Sequence, residues 1–266
     1  MSEQRVNIER RGHVAVVTLS RPEKRNALDP AMFEALDGAA RELAADRELR
    51  AVVLAGEGKC FCAGIDLMSF AAGEAVIRKL LARRDGEAAN LAQRVGWAWR
   101  ECPVGVIAAL HGEVFGGGLQ VALGADLRIA APDAKLSVME VRWGLIPDMS
   151  GSQTLRNLVR RDVALELAWT GRIVPAEEAL ALGLVTRLAE DPLAAALALA
   201  ETIAGQSPDA VRGVKKLFNR AWECGSGEAL ALEAELQMRI LGQANQMEAV
   251  RAGMTGDAPR FGPARE

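Results

Sequence analysis

Two short runs govern what this chain can fold into. LRAVVLAG, from Leu49 to Gly56, and VGVIAAL, from Val104 to Leu110, are almost unbroken apolar segments. A strand with one wet face alternates apolar and polar residues. These do not, so both require burial on two faces, as central strands of a mostly parallel sheet covered by helices. Each run feeds a glycine-rich stretch: GEGKCFCAGIDL, Gly56 to Leu67, after the first, and HGEVFGGGLQVALGAD, His111 to Asp126, after the second. Glycines where a strand gives way to a helix let main-chain amides approach a ligand closely. Ligands of layered α/β proteins gather outside the carboxyl ends of the strands. The two stretches therefore suggest a main-chain anion site, suited to an oxyanion. Neither is a dinucleotide fingerprint, since GxGxxG is absent, nor a phosphate loop, since no Gly-Lys-Ser or Gly-Lys-Thr closes it.

The rest of the chain fits an α/β fold. VNIER and HVAVVTLS read as strands, the second stopped at Ser20, Arg21 and Pro22 because proline cannot continue a ladder. Asp29 followed by Pro30 is a helix start, and that helix extends to about Ala45. LRIA, Leu127 to Ala130, is a further strand. From Ser150 helical patterns dominate, interrupted by a strand at LVTRL, Leu184 to Leu188. The last 60 residues read as wholly helical, with Ser207 and Pro208 opening one helix. Residues 1–200 are thus expected to form the core with the site, and 201–266 a helical region. Its apolar faces, near 210–222 and 228–241, must pack on the core or on another subunit.

Composition excludes several classes. The chain has 266 residues, half of them apolar, enough to fill a large core. Its 4 cysteines form no CxxC pair and it has only 2 histidines, His13 and His111, so neither a disulfide framework nor a zinc site is expected. The opening MSEQRVNIERRGH carries charge where a secretory signal needs an apolar run. No uncharged stretch reaches the ~18 residues of a membrane span. A soluble protein of a reducing cytoplasm is the expectation. With 32 basic and 35 acidic residues the formal charge is −3, which argues against a nucleic-acid partner. Arg83 with Arg84, and RNLVRR from Arg156 to Arg161, read as solvated faces. Tyrosine is absent, which removes phenolic chemistry.

RPEKRNAL (Arg21 to Leu28), CFCAGIDL (Cys60 to Leu67) and HGEVFGGGLQVALGADLRIA (His111 to Ala130) resemble the marker segments of the crotonase superfamily, the enoyl-CoA hydratase/isomerase family. MEVRWGLIPDMSGSQTL (Met139 to Leu155) and WTGRIVPAEEALALGLV (Trp169 to Val185) resemble its later ones, so the likeness spans nearly the whole chain. It implies a spiral of repeated ββα units followed by a C-terminal helical oligomerisation region, and a homotrimer or a dimer of trimers. The implied substrates are acyl-CoA thioesters, with coenzyme A arriving as part of the substrate and no separate cofactor. The resemblance places the thioester oxygen between the amides of Ile65 and Gly117. Lys24 and Arg25 are candidates for phosphate contacts, a solvated surface being the equal alternative. Ala63, Gly64, Asp66 and Gly116 complete the expected substrate contacts. Leu67, Met68 and Phe70 either line an acyl or pantetheine channel or merely pack.

The carboxylates separate the reactions within this family. Its hydratases use two glutamates, which fall here on Gln120 and Glu140. Glutamine can hold a water but exchanges no proton at neutral pH, and hydration needs both water activation and protonation of carbon. Proton transfer between two carbons needs only a base that returns what it takes, so the pattern favours an acyl-CoA double-bond isomerase over a hydratase of low or specialised activity. A binding protein that has kept the cleft and lost the chemistry is the third reading. Asp148 lies eight residues beyond Glu140, the spacing of the family's dienoyl-CoA isomerases. It is either a second proton carrier or the N-cap of the following helix, a role for which Ser150 competes.

Overall fold

The computed structural model describes residues 4–70 and 73–265. The chain opens with a hairpin, β1 (Val6–Arg11) antiparallel to β2 (Val14–Leu19). Pro22 ends that ladder and starts a short 3-10 turn, Pro22–Lys24. Helix α1 (Pro30–Ala45) begins where the sequence predicts: the Asp29 carboxylate accepts the Met32 N–H at 2.8 Å, and Pro30 has no amide hydrogen to leave unpaired.

Then one theme recurs. Strand β3 (Ala51–Gly56) lies parallel to β2 and is followed by α2 (Leu67–Phe70), α3 (Glu74–Leu81) and α4 (Leu91–Glu101). Strand β4 (Gly105–Leu110) lies parallel to β3, and after it come β5 (Glu113–Phe115) and α5 (Gly117–Leu123). Strand β6 (Leu127–Ala130) pairs with β4, then β7 (Lys135–Ser137), a 3-10 turn (Glu140–Trp143) and α6 (Gly151–Leu155) follow. The chain continues through α7 (Arg161–Thr170), β8 (Val174–Pro175), α8 (Ala176–Leu182), β9 (Arg187–Leu188) and α9 (Pro192–Ala204). It closes with α10 (Pro208–Ala221), α11 (Ser226–Ile240) and α12 (Ala244–Thr255).

The large sheet has the order β1-β2-β3-β4-β6-β9, parallel from β2 onward, and a small sheet has the order β5-β7-β8. Each ββα turn gives its first strand to the large sheet and its second to the small one: β4 then β5, β6 then β7. In the turn that starts with β3 the second strand shrinks to a single bridge, Cys62 to Val114 of β5. This is the spiral of ββα units expected from the resemblance. Strands β3 and β4 are buried on both faces, as their lack of alternation requires. Val52, Leu54 and Val106 face a core with Phe33, Leu36 and Trp99, while Val53 and Ile107 face Ala196 and Ala200 of α9.

Two expectations about the later chain need correction. Of LVTRL only Arg187 and Leu188 form a strand; Leu184 and Val185 are buried in the turn that leaves Gly183, where φ is 90° and α8 ends. Nor are the last 60 residues wholly helical. Gly256, at φ 78°, ends α12, and the chain beyond it is irregular, pinned where Arg50 donates to the Phe261 carbonyl and Ala264 to the Arg47 carbonyl. Helix α10 is bound to the core by polar groups. The Lys215 ammonium donates to the carbonyls of Trp99 and Val104 and to Asp126, and Arg212 donates to the carbonyls of Asp46 and Leu49. Among the described residues no helix is long and apolar enough to cross a membrane.

Candidate active site

The two glycine-rich stretches meet beside the small sheet. Leu28 donates to the Gly64 carbonyl and Asp66 donates to the Leu28 carbonyl, so the parallel bridge between Leu28 and Ile65 uses the groups on either side of Ile65. In such a ladder the N–H of the residue between points the other way. Phe115 donates to the Cys62 carbonyl, which ties the second stretch to the first. A Cβ on Gly64 would lie 2.9 Å from the Phe115 carbonyl oxygen and 3.8 Å from the Gly117 nitrogen, and Gly64 itself has φ 98°. Only glycine allows this approach. Gly117 opens α5, where an N–H has no partner within the helix. Neither the Ile65 nor the Gly117 N–H donates to any of the described residues.

Glu140 faces this junction. A Cβ on Gly116 would lie 3.6 Å from its Oε1. The residue is buried, and Oε2 has no hydrogen-bond partner. Burial pushes the carboxyl above its ordinary range; nearby main-chain N–H groups and Gln120 oppose this, and the charge of Asp148 adds to it. Gln120, also buried, donates from Nε2 to Glu140 Oε1 at 2.5 Å, while its own Oε1 accepts the N–H groups of Met149 and Gly151, each at 2.9 Å. Gln120 therefore sits against the base, within protein, and both lone pairs of its oxygen are taken. Asp148 lies on the exposed turn before α6, although the surrounding chain shields its carboxyl enough to raise it by desolvation. Its side chain bonds no other described residue; Ser150, not Asp148, occupies the N-cap position of α6, and its hydroxyl makes no capping hydrogen bond. Arg142, the nearest cation in sequence, packs over Gly171 instead.

A model of the enoyl-CoA hydratase/isomerase family matches residues 9–258. The chain belongs to this family. Among relatives of the enoyl-CoA hydratase/isomerase family, the probable enoyl-CoA hydratase echA8 of Mycobacterium bovis is 34% identical over 264 residues, covering 98% of this chain and 99% of its own. The mitochondrial Delta(3,5)-Delta(2,4)-dienoyl-CoA isomerase of Rattus norvegicus is 36% identical over 252 residues, covering 91% of this chain and 76% of its own. The crystal structure of enoyl-CoA hydratase from Mycobacterium tuberculosis H37Rv superposes with a TM-score of 0.87 at 32% identity, covering 98% of this chain and 99% of that one.

Of the family's expected contact residues, some are engaged elsewhere. Asp66 pairs with Arg21 at 2.8 Å, which holds its carboxyl below the ordinary range, so it braces the segment from behind. Arg25, in left-handed backbone at φ 53°, pairs with Glu113 at 2.8 Å on the surface. Lys24 is exposed beside it. Ala63 donates to the Arg25 carbonyl, and Leu67 and Met68 are exposed on α2. The Phe70 side chain lies outside the described residues. Burial pushes the Cys62 thiol up to about 12, and it donates to the Asn26 carbonyl, so packing is its role. Asn26 escaped the sequence reading. Fully buried at φ 55°, it donates to the carbonyls of Glu57, Cys60 and Phe61 and accepts the Arg21 N–H. An asparagine between two turn residues was its only signal.

Proposed function

We propose that the chain is an acyl-CoA double-bond isomerase, in which Glu140 removes the proton α to a thioester carbonyl and the amides of Ile65 and Gly117 receive the oxyanion. As the C–H bond breaks, its electron pair moves toward the carbonyl, and the double bond beside it shifts by one position. The charge on oxygen then returns as a proton adds to the far carbon. With a 3-enoyl thioester Glu140 can return the proton itself. With a 3,5-dienoyl thioester the far carbon is C6; a protonated Asp148 gives its proton there while Glu140 holds the first one, and exchange with solvent then returns Glu140 to its ionised and Asp148 to its protonated form. The single observation behind this reading is the buried, partly unpartnered Glu140 carboxylate, raised by burial and by Asp148, with no second glutamate at position 120. A base lifted toward neutrality is better matched to carbon acids. The Gln120 oxygen, saturated by two main-chain donors, is unsuited to holding a nucleophilic water.

Lys24 and Arg25 are assigned to the CoA phosphates, with Arg25 exchanging Glu113 for the ligand, and Ala63, Gly64 and Gly116 to the thioester arm. Residues 201–266 are assigned to trimerisation and cover of the cleft. The four unpaired cysteines suit a reducing cytoplasm. The test is a competition of substrates on the purified chain. Turnover of 3,5-dienoyl-CoA and 3-enoyl-CoA, followed by absorbance of the conjugated product, is expected to exceed hydration of 2-enoyl-CoA. Faster hydration would establish the specialised hydratase, and CoA binding without any turnover the non-catalytic homologue.

A further inference from the structure

We propose that Gln120 is the positioning residue of this site, its single amide fixing both the Glu140 carboxylate and the turn that carries Asp148. The inference rests on the proton-transfer roles given to those two residues above. Ser150 has φ 70°, left-handed backbone that a residue with a Cβ adopts only when its surroundings hold it there. Gln120 Oε1 accepts the N–H groups on either side of it, from Met149 and Gly151. Asp148 is attached directly to this clasped peptide. There is no slack in the arrangement, since a Cβ on Gly151 would come within 2.7 Å of Gln120 Oε1.

With the oxygen fixed by two donors, the planar amide must present its nitrogen on the opposite side. There it meets Glu140 Oε1 at 2.5 Å. One carboxylate oxygen is thereby committed and the other, Oε2, is left as the proton acceptor. Only an amide does both tasks. A glutamate at position 120 would accept the two main-chain donors equally well but would have no hydrogen for Glu140 when ionised. A methionine of similar length would do neither. Asp148 is the charged group whose field reaches Glu140 from the facing turn; no cation on α5, α6 or the 3-10 turn contributes among the described residues, Arg142 being packed over Gly171.

Gln120→Glu and Gln120→Met distinguish the two tasks. Glu140 is titrated in the full-length protein by carbon-13 NMR of labelled glutamate, its resonance identified by its loss in Glu140→Gln. In Gln120→Met the midpoint is expected to rise, kcat to fall about ten- to a hundredfold, as for a lost hydrogen bond to a charged group, and KM to stay within about threefold. The Tm should fall with it, because two buried main-chain donors lose their acceptor. In Gln120→Glu the two main-chain donors keep an acceptor, so the Tm should stay near that of the parent at acid pH, where both carboxyls are protonated, and fall below it at neutral pH, while Glu140 titrates at a higher midpoint in two coupled steps. This variant decides the matter alone if Gln120→Met does not fold. A Glu140 midpoint unchanged in Gln120→Glu overturns the proposal. A shifted midpoint in a protein that turns over no acyl-CoA overturns the isomerase reading and leaves the positioning role standing.

Discussion

Burial raises the Glu140 pKa, so ionising this carboxyl opposes folding, while the raised pKa suits the general base proposed for it. The sign follows from proton counting. A carboxyl whose folded pKa lies above its unfolded one binds more protons in the folded state, so stability falls as pH rises through the interval between them. Glu140→Gln removes this penalty. The variant is expected to melt at a higher temperature than the parent at pH 7, with the difference shrinking as pH falls to the ordinary glutamate range; calorimetry across pH checks it. Isomerase activity should fall about a hundredfold to ten-thousandfold, since general base catalysis is lost, with CoA affinity retained. Unchanged turnover would remove Glu140 from the mechanism. At this scale the sequence was legible unevenly. Ile65, Gly117 and Glu140 were named through the family resemblance, each from a segment of contiguous residues. What Gln120 touches was not readable, because Met149 and Gly151 lie 29 and 31 positions away and become its partners only when α5 and α6 pack. A lone glutamine suggests a water site as readily as a clasp.

Among the elements, the bridge between Leu28 and Ile65 is what aims the first amide. Its two hydrogen bonds use the Gly64 carbonyl and the Asp66 N–H, so the Ile65 N–H plays no part in holding the ladder. Proline at this position removes one donor and leaves both bonds in place. Ile65→Pro is therefore expected to retain most of the parent Tm and to lose about a hundredfold or more in kcat, the cost of an oxyanion donor. A variant with near-normal kcat would show that the Ile65 amide is not used. Strands β3 and β4 were legible because an apolar run admits few alternatives, and α1 because Asp29 and Pro30 fix its start. The small sheet was not. Strands β5, β7 and β8 have two or three residues each, too few for any period to declare itself. The candidate site lies along that sheet, which is why the glycines pointed to it and its shape was not legible.

Among the described residues apolar side chains stand uncovered in several places. Ile146 and Trp169 are 74% and 70% exposed, Val141 and Trp143 are exposed as well, and Trp222, Met238 and Met254 stand out on the C-terminal helices or at their ends. Single exposed apolar residues are ordinary. Val141 and Trp143 on the 3-10 turn, Ile146 just after it and Trp169 on the adjoining α7 are four, and the first three lie on the segment that joins Glu140 to Asp148. A subunit contact on this face would bury the group and close the open side of Asp148, which in one chain faces solvent. Self-association is thus expected to complete the site as well as the surface. Size-exclusion chromatography with light scattering should give three or six times the 28.3 kDa chain mass. The double variant Ile146→Glu with Trp169→Glu places charge where neither side chain contributes much to the core. It should yield a smaller, folded species whose dienoyl turnover falls while its circular dichroism matches the parent. A parent protein that is monomeric at micromolar concentration, or a dissociated variant with full dienoyl turnover, would separate the chemistry from the assembly and leave Asp148 dependent on its own turn alone.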